Sequence, residues 1–256
     1  MTETIIKLDQ LEKCFDSHEV LRSISAEVRT GDVIGLLGLN GAGKTTLLET
    51  ALGFAVPDSG STSLFGRPAS AIADERIKHR IGFVPQQDEL IETMKGSEFL
   101  GLIGRFYSSW NSDLIGRLAR DWDVPLGKPA MKLSVGQRQK LSILAALGHE
   151  PELIVLDEPV ASLDPLARRI FLQELIGMVS SGERTIVFST HIVSDLERIA
   201  NRVWVLKDGR LVVDEALDNL KESGVKVAQA GGSRFPASSG VTAGMSLEEI
   251  FLELHK

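Results

Sequence analysis

The sequence has very little cysteine and few aromatic residues, and these shortages narrow the classes of protein to consider. Cys14 is the single cysteine among 256 residues, so an internal disulfide and a zinc site with several cysteine ligands are both excluded, which fits a reducing compartment. Aromatic residues make up 5% of the chain, whereas apolar residues make up 43%. This is an ordinary globular composition, and the chain is long enough for one large or two small domains with a real core.

Long apolar runs and an excess of positive charge are lacking as well. The longest apolar stretches, such as VIGLLGL and LIVL, fall well short of the roughly 18 residues that a membrane-spanning helix needs. The first residues, MTETIIKLDQ, show no basic segment followed by an apolar one, so a secretory signal is not expected. The net charge of −7 would repel a polyanion, and a nucleic-acid partner is therefore not expected.

The spacing of apolar residues divides the chain into a core and one inserted helical region. In residues 1–88, short β-branched runs alternate with Gly, Pro, Asp and Ser, which predicts strands and one helix, KTTLLETALG. Residues 89–150 have apolar residues at helical spacing and few β-branched residues. In residues 151–220, strand-like ELIVLD and RTIVFST alternate with helical segments, as in parallel βα units. We therefore predict an α/β core from residues 1–88 and 151–220, with a helical subdomain inserted at 89–150.

The C-terminal part of the chain carries weaker signals. VWVLKDGRLV predicts a hairpin with Asp208 and Gly209 at its turn. Residues 221–256 form the last segment, in which 221–244 are rich in Gly, Ser and Ala and predict a loose connection. SLEEIFLELHK predicts a short amphipathic helix that starts at Ser246.

A phosphate loop is the clearest motif. GLNGAGKTT matches the pattern G-x-x-x-x-G-K-[ST] and lies between the apolar run VIGLL and the helical TLLETAL. Its glycines allow the backbone to turn successive N–H groups around a phosphate. Lys44 would neutralise the β- and γ-phosphates, and the Thr45 hydroxyl could bind Mg²⁺, which prefers oxygen ligands. The alternative is a plain glycine-rich turn at a helix start. The residues assigned to this loop are Gly38, Leu39, Asn40, Gly41, Ala42, Gly43, Lys44, Thr45 and Thr46.

An acidic pair follows a second apolar run in LIVLDEP. Four apolar residues in a row are typical of a strand buried on both faces, and ligands of open α/β sheets bind at the carboxyl ends of such strands. Asp157 would therefore hold the Mg²⁺ shell through water, and Glu158 would act as general base on the attacking water, a role worth about 10²–10⁴-fold in rate. The alternative is a solvated strand end.

A second stretch, LSVGQ, has the features of a phosphate site far from the first. Ser134, Gly136 and Gln137 open a helix, whose N-terminus offers unpaired N–H groups and the positive end of the dipole. The same residues fit a capping box, Ser134-x-x-Gln137, which would only start the helix. Both interpretations can hold together.

Taken in order, GLNGAGKTT, LSVGQ, LIVLDEP, SLDP and STH resemble the motifs of the ATP-binding subunits of ABC transporters, and the resemblance covers nearly the whole chain. It implies an α/β fold: a P-loop NTPase (RecA-like) core with an N-terminal antiparallel β-subdomain and an inserted α-helical ABC signature subdomain. It also implies ATP and Mg²⁺ as cofactors and hydrolysis of ATP to ADP and phosphate.

The resemblance implies roles for four residues outside the loop. Phe15 would stack on adenine, or else be a core aromatic, and Gln86 would sense Mg²⁺ and the γ-phosphate. Asp164, in SLDP, would link the sites of two subunits, although it could also be an ordinary helix cap. His191, in STH, would contact the γ-phosphate.

The partners are implied by the same resemblance. Two copies, or one copy and a paralogous ATPase subunit, would join head to tail, so that each ATP lies between the phosphate loop of one copy and LSVGQ of the other. A separate integral-membrane permease would dock around Phe99 to Tyr107 and hold the chain on the cytoplasmic face of the membrane. The local sequence around these motifs is most similar to that of the ATPase subunits of bacterial ABC-2-type drug or antibiotic exporters. Leu39 and Val135 depart from the usual motifs, and Val135 replaces the first signature glycine.

Two other classes remain to be distinguished. A non-transport ABC ATPase acting on nucleic acid or ribosomes usually carries a long coiled-coil insertion or two ATPase domains, and the sequence shows one phosphate loop. A P-loop kinase would explain GAGKTT but would leave LSVGQ, SLDP and STH without a purpose.

Overall fold

The computed structural model describes residues 3–160, 163–179, 184–223 and 246–254. Its strands are β1 (Thr4–Phe15), β2 (His18–Arg29), β3 (Val33–Leu37), β4 (Ser59–Leu64), β5 (Arg67–Pro68), β6 (Ile81–Val84), β7 (Leu153–Leu156), β8 (Thr185–Thr190), β9 (Arg202–Lys207) and β10 (Arg210–Ala216). Its α-helices are α1 (Lys44–Ala51), α2 (Glu75–Lys78), α3 (Gly96–Gly104), α4 (Ser112–Asp121), α5 (Val135–Leu147), α6 (Pro165–Val179), α7 (Val193–Ile199), α8 (Leu217–Ser223) and α9 (Leu247–Leu254). Short 3₁₀ turns lie at Ala69–Ala73 and Ala130–Lys132.

The central sheet has six strands in the order β10-β9-β3-β8-β7-β6. All neighbours from β9 to β6 are parallel, and β10 returns antiparallel to β9. Every residue of β3, β7 and β8 is buried, as is typical of inner strands in a parallel sheet that is covered on both faces. β3 and β7 are apolar, whereas β8 also buries the polar residues Thr185, Ser189 and Thr190.

The register of this sheet brings four strand ends to one edge. Leu37 pairs with Thr190, and Leu156 pairs with both Phe188 and Val84. The carboxyl ends of β3, β8, β7 and β6 therefore lie side by side, and the segments that follow them meet at the position where open α/β sheets bind ligands.

The second sheet is antiparallel, in the order β2-β1-β4-β5. It packs on the first through α1, whose Leu47, Leu48 and Ala51 are buried in one cluster with residues of β1 and β2 and with Ile34 and Leu36 of β3. The helix that begins in the phosphate loop is thus held between the two sheets.

The inserted region contains α3, α4 and α5, and both α3 and α4 pack against α5. It meets the core where α5 crosses β6: a Cβ added to Gly82 would lie 2.4 Å from the Ala146 carbonyl oxygen, so only glycine permits this approach. The aromatics of the predicted permease surface, Phe99 to Tyr107, differ in exposure. Phe99 is buried, Tyr107 is half-buried with its ring stacked 3.9 Å from His149, and Phe106 alone of these aromatics is largely exposed.

Most elements predicted from the sequence are present. The first 88 residues contain one helix more than predicted, the four-residue α2, whose start is capped by Asp74 accepting from the Arg76 N–H at 3.0 Å. Helix α8 reaches Ser223, and so occupies the start of the predicted loose connection; the rest of that prediction, 224–245, lies outside the described residues. Ser246 precedes α9 and accepts from the Glu249 N–H, as predicted. Among the described helices none is long and apolar enough to cross a bilayer.

Candidate nucleotide-binding site

The phosphate loop joins β3 to α1 and is shaped by its glycines. Gly41 and Gly43 have φ of 80° and 101°, in the region that favours glycine. Lys44, the first residue of α1, donates through Nζ to the carbonyl oxygens of Gly38 (2.9 Å) and Leu39 (3.3 Å) and is only 7% exposed. The loop therefore wraps around the lysine ammonium and holds that charge almost out of water.

Two carboxylates after β7 contact the first residues of α1. The Thr45 hydroxyl donates to Asp157 Oδ2 at 2.6 Å, and Glu158 Oε1 lies 3.2 Å from Lys44 Nζ. Glu158 is 6% exposed and has φ of 48°. Such a left-handed backbone is uncommon for a residue other than glycine and is found at functional sites, where the surrounding structure holds it. The strained backbone turns the Glu158 side chain toward the phosphate loop.

The segment after β8 completes this group of charges. His191 Nδ1 lies 2.9 Å from Glu158 Oε2, and the imidazole is 46% exposed. Because a carboxylate only accepts, this contact requires the proton on Nδ1. Glu158 is thus held between a buried lysine and a half-exposed histidine.

A cavity of about 270 Å³ opens at this edge of the sheet. A second cavity of about 590 Å³ adjoins it, since both are lined by Val20, Asn40 and Gly41, and it extends toward the β9–β10 turn. The lining of the smaller cavity is Val20, Asn40, Gly41, Gly43, Lys44, Thr45, Thr46, Gln86 and Glu158. Apart from Val20, these are residues that the sequence assigns to phosphate, Mg²⁺ or hydrolysis.

Phe15 and Asp164 lie outside both cavities. Phe15 is 50% exposed at the end of β1, with Lys13 Nζ 5.3 Å from its ring centroid, so it is not a core aromatic. Asp164 caps α6 by accepting from the N–H groups of Leu166 (3.0 Å) and Ala167 (2.9 Å). The hydrogen bond from Ala167, assisted by the one from Leu166, holds the pKa of Asp164 below its usual value. The cap is therefore present, and the role between subunits stays a prediction.

The signature residues form the capping box predicted from the sequence. Ser134 Oγ accepts from the Gln137 N–H at 3.2 Å, and Gln137 Oε1 accepts from the Ser134 N–H at 3.1 Å. Val135 stands 65% exposed at the start of α5. The described residues that line the nucleotide cavity do not include Ser134, Gly136 or Gln137. The second phosphate element therefore does not line the cavity of the first within one chain.

Comparison with known proteins agrees with these motifs. A family model described as ABC transporter matches residues 21–161, a stretch that includes the phosphate loop, LSVGQ and LIVLDEP. The chain belongs to the ABC transporter family. It is 30% identical over 226 residues to the ABC transporter ATP-binding protein YtrB of Bacillus subtilis, covering 88% of this chain and 77% of YtrB. It is 35% identical over 226 residues to the Nod factor export ATP-binding protein I of Burkholderia pseudomallei, covering 84% of this chain and 72% of that relative.

Solved structures place the fold in the same family. An ATP-binding subunit of an ABC transporter superposes with a TM-score of 0.82 at 27% identity, covering 98% of this chain and all of the other. The dimeric structure of MJ0796, a bacterial ABC transporter cassette, has a TM-score of 0.75 at 23% identity. The predicted α/β fold with a P-loop core is confirmed. The chain is an ATP-binding subunit of the ABC family, and its reaction is ATP hydrolysis.

The donor atoms of this ABC subunit fit a magnesium ion. Thr45 Oγ1 and Asp157 Oδ2 are hard oxygen ligands 2.6 Å apart, and Gln86 lines the same cavity. Within the described part of the chain, no group of three or more His, Cys, Asp or Glu residues could hold a metal by itself. An ion here would therefore take its other ligands from nucleotide phosphate and water.

The ABC motifs also contain a residue that contacts both acidic residues and that sequence reasoning did not single out. Ser189, fully buried near the end of β8, donates to Asp157 Oδ1 at 2.5 Å and accepts from the Glu158 N–H at 2.7 Å. One hydroxyl thus orients both acidic residues. Its signal in the sequence is its place in STH, two residues before His191, but the contact arises only because β7 and β8 are neighbours.

Proposed function

We propose that this chain is the motor subunit of an ABC exporter and works as a head-to-tail pair that closes on two ATP molecules. The observation that carries the proposal is the separation of two phosphate elements. The cavity lined by Lys44, Thr45 and Glu158 includes none of the signature residues of the same chain, which form the capped N-terminus of α5. A second copy would bring its Ser134 and Gln137 to this cavity and complete the site.

Within such a site each side chain would have one task. Lys44 would bind the β- and γ-phosphates through its nearly dry ammonium, whose attraction for phosphate is strengthened by burial. Thr45 and Gln86 would hold Mg²⁺, and Asp157 would do so through water; the ion supplies charge neutralisation of the phosphates. Asp164 would lie between the two sites.

Hydrolysis would centre on Glu158. Its carboxylate would accept a proton from the attacking water, as a general base does. His191, 2.9 Å from that carboxylate and half exposed to the crevice, would hold it in place and contact the γ-phosphate. Phe15, exposed beside the β1–β2 turn, would stack on adenine. Glu158, His191 and Phe15 would thus act on the same ATP molecule.

The direction of transport and the partner rest on relatives and on the surface of the inserted helices. One relative carries the words Nod factor export in its name, and we propose export for this chain too. A separate integral-membrane permease would hold the chain at the cytoplasmic face of the membrane. Phe106, 70% exposed at the end of α3, is the aromatic available to dock on it.

Stimulation of ATPase activity tests this function. The chain would be co-expressed and co-purified with its membrane partner, reconstituted in lipid nanodiscs, and compared with the chain alone and with the chain plus single-stranded and double-stranded nucleic acid. Release of free phosphate that increases with the reconstituted membrane protein supports the proposal. Stimulation by nucleic acid without response to any membrane protein would favour the non-transport class instead.

A further inference from the structure

A two-pronged ion pair connects the segment after Gln86 with the signature helix. Arg138 Nε donates to Asp88 Oδ2 at 2.9 Å, and Nη2 donates to Asp88 Oδ1 at 2.6 Å. The two side chains are only 19% and 14% exposed. A bidentate pair of a guanidinium and a carboxylate defines both distance and orientation, so it resists sliding as well as separation.

The same two segments are also joined along their backbones. The Met131 N–H donates to the Glu92 carbonyl at 2.9 Å, and the Ala130 N–H donates to the Met94 carbonyl at 3.0 Å. Arg138 Nη1 reaches the Ala130 carbonyl at 3.4 Å. Residues 92–94 and 130–131 therefore move together, and the ion pair fastens the end of this unit that lies nearest to Gln86.

The two residues of the ion pair lie next to the two phosphate elements. Asp88 stands two residues after Gln86, which lines the nucleotide cavity beside Lys44. Arg138 directly follows Gln137, and its N–H bonds the Ser134 carbonyl at 2.9 Å in the first turn of α5. A shift of the chain at Gln86 can therefore reach the signature turn through the Asp88–Arg138 pair and the backbone hydrogen bonds beside it.

We propose that Asp88 and Arg138 are positioning residues that make the Gln86 loop and the signature turn move as one body. The inference rests on the proposed paired function. In the pair, Gln86 belongs to one ATP site whereas Ser134, Gly136 and Gln137 complete the other. The ion pair would therefore couple the two sites through each copy, so that γ-phosphate bound at one cavity sets the signature turn that closes over the second.

The test is a double-mutant cycle with a matched control. The variants are Asp88→Asn, Arg138→Gln and the two together. The control is Glu152→Gln, which breaks the bidentate Arg80–Glu152 pair (2.7 Å for both bonds) at the opposite end of β6 and β7. ATP hydrolysis is measured against ATP concentration, ATP binding is measured in EDTA, and thermal unfolding of each variant shows that it is folded at the assay temperature.

Each single variant should lower kcat about tenfold, because a misplaced signature turn no longer completes the second site. It should also bring the Hill coefficient for ATP toward 1, because the two sites are no longer coupled. ATP binding in EDTA should stay within about twofold of the parent, because no phosphate contact is removed. The double variant should be no worse than either single one, since both changes remove the same link. Where Arg138→Gln does not fold, Arg138→Lys, which keeps the charge but loses the fork, should show a smaller fall.

Three results would overturn the proposal while leaving the paired motor intact. These are kcat and Hill coefficient within about twofold of the parent in both single variants, an equal fall in Glu152→Gln, and additive losses in the double variant. If the parent protein hydrolyses ATP without cooperativity, the proposed coupling between the two ATP sites is also wrong. A parent that does not hydrolyse ATP at all overturns the proposed function together with this inference.

Discussion

At the scale of single residues, the site depends on charges held almost out of water. Lys44 and Glu158 are 7% and 6% exposed and lie 3.2 Å apart. At such burial, removing one partner leaves the other charge uncompensated, and this costs several kcal/mol. Ser189 adds to this arrangement by bonding both acidic residues through one hydroxyl.

Ser189→Ala should impair hydrolysis more than folding. The change leaves the buried Glu158 N–H without an acceptor and frees Asp157 Oδ1, so we expect a loss of about 1–3 kcal/mol in unfolding free energy. We also expect kcat to fall about tenfold, because the carboxylates lose their common anchor. Urea denaturation and steady-state phosphate release measure the two effects.

Thr185→Val is the matched control for Ser189→Ala. Thr185 is fully buried at the other end of β8 and accepts from the Gly31 N–H at 3.0 Å. Thr185→Val should lower the unfolding free energy by about as much as Ser189→Ala does, but it should not specifically lower kcat. Equal kcat losses in both variants would show that Ser189 acts only through stability.

The motif residues could be predicted because each phosphate or metal contact demands a residue type at a defined spacing. Lys44, Thr45, Asp157 and Glu158 fall into this class, and the structure brings them together. Ser189 could not be assigned in this way, since its two partners come from a neighbouring strand whose pairing is a tertiary event.

At the scale of elements, close packing on the parallel sheet positions the segments that carry the site. Helix α7 begins two residues after His191 and packs on β3 through Leu196. A Cβ added to Gly35 would lie 2.3 Å from Leu196 Cγ, so this helix sits as near to β3 as glycine permits.

Gly35→Ala should therefore destabilise the protein. Forcing a methyl group into this contact should cost about 1–3 kcal/mol by overpacking and displace α7. Gly101→Ala in α3 is the control, because an added Cβ there meets nothing within 4 Å and should stabilise the helix by about 0.5–1 kcal/mol. Urea midpoints measure both, and an unchanged midpoint in Gly35→Ala would refute the close packing of α7.

A second contact between elements predicts acid sensitivity. His149 is buried, its Nε2 lies 3.0 Å from the Ile81 carbonyl, and Tyr107 stacks on its ring. Burial, with a contribution from nearby His79, lowers the pKa of His149. The unfolded chain therefore takes up this proton at higher pH than the folded one, and stability falls as pH drops below about 6.5.

His149→Phe should reduce this loss of stability, because phenylalanine keeps the stacking on Tyr107 but does not titrate. The fall in Tm between about pH 7.5 and pH 5.5 should be smaller than in the parent. His18→Gln, a change at the exposed first residue of β2, is the control and should keep the parent's fall. An equal fall in His149→Phe would exclude His149 as a source of acid sensitivity.

Strand positions could be predicted because several apolar or β-branched residues in a row, bounded by turn residues, are a clear signal for a strand. The four-residue α2 is too short to show a helical period. The inward orientation of Phe99 and Tyr107 depends on packing between α3, the following loop and His149, and an aromatic-rich segment alone does not distinguish a buried surface from a docking surface.

At the scale of the whole molecule, the chain carries two predicted phosphate elements, but only the phosphate loop lines the nucleotide cavity. The spacing of motifs does not by itself indicate that LSVGQ serves another copy; only the family resemblance suggests it. The position of the α5 N-terminus depends on how the inserted helices pack on β6, and the sequence does not show that packing. A complete nucleotide site would therefore require association between copies, with ATP between them.

The most direct test of this central claim is the mass of Glu158→Gln in ATP and Mg²⁺. The substitution keeps the shape of the side chain and removes the general base, so hydrolysis should slow by about 10²–10⁴-fold while ATP remains bound. Light scattering after size exclusion should give a dimer with ATP and a monomer with ADP, and Gly136→Asp added to the same chain should abolish the dimer by placing a negative charge against phosphate. A Glu158→Gln protein that binds ATP at saturation and remains monomeric would contradict the account.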